Sequence, residues 1–211
     1  MEKLEGIKNI IFDLGGVIIN IDYTLTIKAF ESLGIKNASL FFSQHSQIKL
    51  FDDLETGKIG SKAFFDGIRE LCGKHLPDND IKFAWNAMLL DFPEDMDNVL
   101  KKVKKHYKTF LLSNTNAIHY EDYMQRMFTQ FNTNNMSLWF DEVYLSHIIG
   151  MRKPNKEVFE LILKENNLKA NETLFIDDSF QHIEGASKLG IHTHWLKDNN
   201  LHRFLLKSGL L

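Results

Sequence analysis

Apolar and polar positions along the chain follow two alternating periods. Short, fully apolar runs stop abruptly at polar clusters, and longer segments between them repeat their apolar residues every three or four positions. The first run, Ile10-Ile11-Phe12, reads as a strand buried on both faces, and it stops at Asp13-Leu14-Gly15-Gly16. A second apolar run, Val17 to Ile19, follows two glycines that allow positive φ and a close approach of backbone N–H groups to an anion. Further strands are predicted over Thr109–Leu112, Val143–Leu145, Thr173–Ile176 and His192–Leu196. Helical spacing fills the intervals. Asp22–Leu33 turns Leu25, Ala29, Phe30 and Leu33 inward and stops at Gly34. A helix capped by Ser61 buries Phe64, Phe65, Ile68, Leu71 and Cys72, and one starting at Asn79 or Asp80 buries Ile81, Ala84, Trp85, Met88 and Leu89. Others run from Pro93-Glu94-Asp95 to about His106, from Ala117, over Asn155–Asn166 and over Phe180–Leu189, with a short one at the C-terminus.

Strands alternating with helices predict an α/β fold, a doubly wound, Rossmann-like parallel sheet with helices on both faces. No strand pattern interrupts residues 21–92, so these are expected to form an inserted helical cap, with residues 1–20 and 93–211 as the core.

Composition narrows the class without changing that picture. The 211 residues are 44% hydrophobic and 25% charged, enough for one well-filled domain or for one domain carrying a smaller insertion. A net charge of −3 offers no field for nucleic acid or an acidic membrane. The basic run Lys101, Lys102, Lys104 and Lys105 reads as a solvated helix face near a C-terminus that favours cations. No apolar run reaches membrane length, and the stretch MEKLEGIKN carries no apolar leader. Cys72 is the only cysteine, which excludes an internal disulfide and fits a reducing compartment. The expectation is a cytoplasmic monomer or small homo-oligomer with neither nucleic acid nor membrane as partner.

The candidate chemistry lies where the strands end. Asp13, Ser113, Lys153 and the Asp177-Asp178 pair fall at or just beyond the carboxyl ends of predicted strands, and a parallel sheet gathers those ends on one edge. Three converging carboxylates repel one another unless a divalent cation sits between them, and hard oxygen ligands suit Mg²⁺. Ser113 and the Asn114 N–H suit a phosphoryl group, whose remaining charge Lys153 would balance. The combination predicts a phosphate and metal site.

The motifs that carry this pattern, Asp13-x-Gly15-Gly16-Val17, LLSNTN, GMRKP and FIDDSFQHIEGASKLGI in that order, resemble those of the haloacid dehalogenase-like hydrolase superfamily. The resemblance runs from Asn9 to Trp195. It is strongest to the branch of small sugar-phosphate phosphatases that includes the α-D-glucose-1-phosphate phosphatases, as do ETGKI at Glu55–Ile59 and His119. It implies a Mg²⁺-dependent phosphomonoesterase acting on a small phosphorylated metabolite through an aspartyl-phosphate. Asp13 would be nucleophile and metal ligand, Gly15 would offer its carbonyl to the metal, and Asp178 would be the direct acidic ligand with Asp177 in support. Ser113, Asn114 and Gly16 would hold the phosphoryl group, and Lys153 would orient Asp13 and neutralise charge.

One departure stands out. Many relatives carry a second Asp, a general acid, two residues after the nucleophile, and this chain has Gly15 there. Asp22, His45 and His119, or an ordered water, are candidates to replace it, each residue weighed against a structural role. The loss of that acid also fits a weakly active or non-catalytic phosphate-ligand sensor of the same fold, and more remotely a 2-haloacid dehalogenase, which needs no Mg²⁺. Tyr23, Phe41, Phe42, His45, Phe51 and Trp85 would either line a pocket in the insertion or fill its core. His192 and His194 read as structural.

Overall fold

A computed structural model describes residues 4–40 and 48–211. Five parallel strands form one sheet in the order β3-β2-β1-β4-β5: β1 (Asn9–Phe12), β2 (Lys108–Ser113), β3 (Glu142–Leu145), β4 (Thr173–Asp177) and β5 (His192–Trp195). Among the described residues, five α-helices lie between β1 and β2: α1 (Tyr23–Ser32), α2 (Lys49–Glu55), α3 (Ser61–Cys72), α4 (Asp78–Asn86) and α5 (Met96–Lys104). After β2 come α6 (Ala117–Phe131), α7 (Ser146–Ile149), α8 (Lys156–Glu165), α9 (Phe180–Ser187) and α10 (Leu201–Ser208).

Strand alternation divides the core. Ile10, Phe12, Leu111, Leu174 and Ile176 meet α5, α6 and α10 on one face. Ile11, Phe110, Leu112 and Phe175 meet α8 and α9 on the other. The middles of the central strands, Ile10–Phe12, Phe110–Leu112 and Leu174–Ile176, are therefore apolar on both faces, the mark of a sheet covered on both sides. Helices α1 to α4 gather a separate cluster around Phe30, Phe51, Phe64, Ile81 and Trp85.

Three local expectations need correction. Ser61 is the first residue of α3 rather than its cap; Gly60 holds the cap position without a side-chain bond. Leu71 is 39% exposed, and Cys72 is only half-buried, though it packs against the α1–α4 cluster. In α1 the fully buried position next to Phe30 is Thr26, while Leu25 is half-buried. Thr26 tolerates burial because its hydroxyl donates to the Trp85 carbonyl (3.0 Å) and accepts from the Met88 N–H (3.1 Å), locking α1 to α4.

The register sets the site. Phe12 pairs with Leu111 on one side and Ile176 on the other, so Asp13 comes level with Asp177, and Ser113 lies one residue further along β2. Strand β1 is also where the order reverses between β2 and β4, the position at which open α/β sheets leave a crevice.

Candidate active site

Asp13 continues β1 by one residue, its N–H donating to the Ile176 carbonyl at 2.9 Å. Its carboxylate is buried, and Oδ1 accepts from the Leu14 N–H at 2.7 Å. The chain then turns sharply, with the N–H groups of Ile18 and Ile19 both donating to the Leu14 carbonyl at 2.8 and 2.9 Å. This turn buries Val17, Ile18 and Ile19 beneath the site, which accounts for the second apolar run. Only Gly16 takes the left-handed conformation (φ 71°); Gly15 does not, contrary to the expectation for both. Gly16 is also required by proximity, since a Cβ there would fall 2.6 Å from Oδ2 of Asp178.

Lys153 arrives from the loop after α7 and is completely buried. Its ammonium lies 2.7 Å from Asp13 Oδ1 and 2.7 Å from Asp177 Oδ2, and 5.5 Å from the centre of the Phe175 ring. Two contacts made by distant residues place it. The Asn114 carboxamide accepts from the Lys153 N–H and donates to the Lys153 carbonyl, both at 2.9 Å. Behind it, α9 approaches so closely that a Cβ on Gly185 would come 2.5 Å from the Pro154 carbonyl oxygen. The Asn114 side chain thus holds the lysine loop. Ser113 is buried at the end of β2, three residues before the helix cap Asn116.

The charges are unevenly satisfied. Burial works to raise the Asp177 carboxyl, but Lys153 and His182 outweigh it and hold it below the usual range. Asp177 Oδ1 accepts from the Ser179 N–H at 2.7 Å and lies 3.0 Å from His182 Nδ1. Burial also works to lower Lys153, yet the two carboxylates hold it above its ordinary value. For Asp13 the balance falls the other way: burial, then Asp177, push its carboxyl up to about 7 despite Lys153. Asp13, Asp177 and Asp178 offer oxygens that all lie within 4.8 Å of one another. Three carboxylates against one ammonium leave surplus negative charge in a buried place, and an all-oxygen donor set of that kind fits a hard divalent cation.

The cavity above Asp13 is walled by both parts of the chain. The sheet edge contributes Asp13, Ser113, Asn114, Lys153, Asp178 and His182; the α1–α4 segment contributes Tyr23, Glu55, Trp85, Met88 and Leu89. Burial, reinforced by Asp178 and Asp13, holds the Tyr23 phenol protonated to well above its ordinary value. Arg152 joins the halves, pairing with Glu55 Oε2 at 3.0 Å and with Asp52. Of the other residues weighed for this pocket, Phe51 is core, and Phe41, Phe42 and His45 lie outside the described residues.

Neither described candidate for the missing acid has that form. Asp22 caps α1, accepting from the Thr24 N–H and hydroxyl at 2.9 and 2.7 Å. His119 lines the cavity, but burial pushes it down to about 3, so it is neutral at ordinary pH. His194 stacks on Phe204 at 3.5 Å and His192 lies 3.1 Å from the Asn171 carbonyl, both structural as expected. His182, absent from the sequence reading, reaches Asp177 because the first turn of α9 folds back over the strand end. The only sequence signal for it was its spacing within FIDDSFQH.

Comparison with known proteins supplies a context for this geometry. A family profile described as haloacid dehalogenase-like hydrolase matches residues 7–190. A D-ribitol-5-phosphate phosphatase of Bacteroides thetaiotaomicron is 33% identical over 187 residues, which cover 89% of this chain and 90% of that protein. Among solved structures, a haloacid dehalogenase family enzyme of B. thetaiotaomicron in complex with magnesium and inorganic phosphate superposes with a TM-score of 0.81 at 36% identity, over 90% of this chain and 94% of that one. A predicted haloacid dehalogenase-like hydrolase of Porphyromonas gingivalis gives a TM-score of 0.85 at 30% identity, over 95% and 97% of the two chains.

Proposed function

This chain belongs to the haloacid dehalogenase-like hydrolase family, and on that footing we propose that it is a Mg²⁺-dependent phosphomonoesterase acting on a small phosphorylated metabolite, a sugar or polyol phosphate. The observation that carries the reading is the fully buried ammonium of Lys153, bridging Asp13 and Asp177 at a sheet edge where Asp178 adds a third carboxylate. The phosphatase relative named for a polyol phosphate supports the substrate class. Residues 1–20 and 93–211 form the catalytic core, and residues 21–92 form a cap whose Tyr23, Glu55, Trp85, Met88 and Leu89 close over the alcohol part of the ester.

Asp13 is the nucleophile. Its Oδ1 is held by the Leu14 N–H and by Lys153, so the carboxylate cannot swing away from the cavity. One carboxylate oxygen attacks phosphorus as the ester P–O bond breaks, and the electron pair leaves with the alcohol oxygen. Water then attacks phosphorus in the aspartyl-phosphate, releasing inorganic phosphate and restoring the carboxylate. Lys153, with the Ser113 hydroxyl and the Asn114 N–H, offsets charge on the transferring group and holds its oxygens. Asp13, Asp178 and the Gly15 carbonyl would hold Mg²⁺, with Asp177 in support through its bonds to Lys153 and His182. When bound, the ion supplies positive charge to phosphoryl oxygens in a place where the protein alone is short of it.

Phosphate release from an aryl phosphate and from a panel of sugar and polyol phosphates, with Mg²⁺ and with excess chelator, tests the proposal. Turnover on both kinds of ester that chelation abolishes and Mg²⁺ restores is expected. Undiminished activity in chelator rules out the metal assignment, and no release from any ester rules out the phosphatase.

A further inference from the structure

His119 has no part in the phosphoryl chemistry, yet it lines the same cavity from the first turn of α6 and is held with unusual care. Its ring stacks on Trp85, with centroids 4.6 Å apart and planes at 19°. Its Nδ1 lies 2.7 Å from Oδ1 of the buried Asn86. Its main-chain N–H donates at 3.0 Å to Oδ1 of Asn116, which also accepts from Trp85 Nε1 at 3.4 Å. Two elements, α4 and α6, therefore fix both the position and the tilt of the imidazole.

The tautomer follows from the partner. A carboxamide oxygen can only accept, so Nδ1 carries the proton and Nε2 keeps its lone pair. Among the described residues none bonds Nε2, and burial keeps the ring neutral at pH 7. The ring is useless as an acid but is a rigid acceptor in a cavity whose cap side sets the apolar Ile21, Met88, Leu89 and Trp85 beside the polar Tyr23 and Glu55. An acceptor fixed beside apolar surface is complementary to an O–H donor on a short carbon skeleton.

We infer that His119 is a specificity-determining residue whose Nε2 accepts a hydrogen bond from a hydroxyl of the alcohol part of the phosphate ester, so that the enzyme selects polyhydroxylated phosphates over plain alkyl ones. The inference rests on the phosphatase reading and assigns the group that recognises the substrate class. Asn86 acts through His119 as a positioning residue, because its oxygen sets which ring nitrogen is the acceptor.

The test compares kcat/KM for ribitol 5-phosphate, pentyl phosphate and 4-nitrophenyl phosphate in wild type, His119→Phe and His119→Gln. Wild type should favour the polyol over the pentyl ester by about tenfold or more, the scale of one well-placed hydrogen bond. His119→Phe keeps a flat ring against Trp85 but removes the acceptor. It should erase most of that ratio, chiefly through KM, while His119→Gln, which retains an acceptor, should keep part of it. A ratio unchanged in His119→Phe, or equal losses on both esters, would overturn the inference. Should neither variant fold, equal kcat/KM for the two esters in wild type overturns it as well. Failure of the phosphatase reading looks different, because wild type would then release no phosphate even from 4-nitrophenyl phosphate.

Discussion

At the scale of single residues, Gly15 and His119 make opposite statements about protons. Gly15 leaves the departing alkoxide without a general acid, so the first chemical step should depend steeply on leaving-group basicity. A plot of log kcat/KM against leaving-group pKa for esters that fit the cavity equally well should slope strongly downward. A flat plot with phosphoryl transfer rate-limiting would mean that another group supplies the proton. Gly15→Asp is a practical complement, because this glycine is not in the left-handed region and its Cβ would meet only the tip of Ile21, at 2.4 Å from Cδ1. That side chain can turn aside, and alkyl phosphates should gain most, by up to about 10²-fold. His119 bears on stability instead. Its pKa is depressed from 6.5 to about 3 in the folded protein, so the unfolded chain takes up the extra proton as pH falls below 6.5. The stability this histidine contributes is complete above 6.5 and is lost on acidification, by about 2 kcal/mol at pH 5. Denaturant titrations from pH 7 to pH 5 should show that loss in wild type and not in His119→Gln; equal slopes would place the ring in solvent.

At the scale of elements, the strand ends were legible and their cross-connections were not. Asp13, Ser113 and Asp177 each terminate a run of buried apolar residues, and a polar group in that position announces itself in one dimension. The clamp of Asn114 on Lys153 spans 39 residues, and the Arg152–Glu55 pair joins two separate parts of the chain; no local pattern encodes either. Helix α9 shows how a motif residue can serve packing. Gly185 sits in the helix interior, where Ala would ordinarily add up to about 1 kcal/mol. Here a Cβ would meet the Pro154 carbonyl at 2.5 Å, a backbone atom that cannot turn away. Gly185→Ala should therefore lower Tm and, by displacing the adjoining Lys153, lower kcat, whereas Ser187→Ala on the exposed side of the same helix should do neither. A Gly185→Ala protein more stable than wild type would show that α9 and the lysine loop are not in contact.

At the scale of the whole molecule, the sheet supplies a fixed edge and the α1–α4 segment a wall with a core of its own. Helices α1 to α4 were legible because no strand pattern breaks the sequence over residues 21–92, but the residues they turn toward the site were not. Tyr23, Trp85 and Phe51 are alike in sequence, and only packing puts Tyr23 in the cavity wall, Phe51 in the core and Trp85 in both. Among the described residues no helix is long and apolar enough to cross a membrane. At the sheet edge Lys153 orients and counterbalances Asp13, while Asp177 and Asp178 crowd it with like charge. The most direct measurement is phosphate release from 4-nitrophenyl phosphate at saturating Mg²⁺ by wild type and by Asp13→Asn, with circular dichroism to establish that both are folded. The substitution keeps the shape and removes the nucleophilic charge, so a loss of at least about 10³-fold in kcat is expected. A folded Asp13→Asn protein that turns over within a few-fold of wild type would contradict the assignment of the nucleophile and, with it, the mechanism.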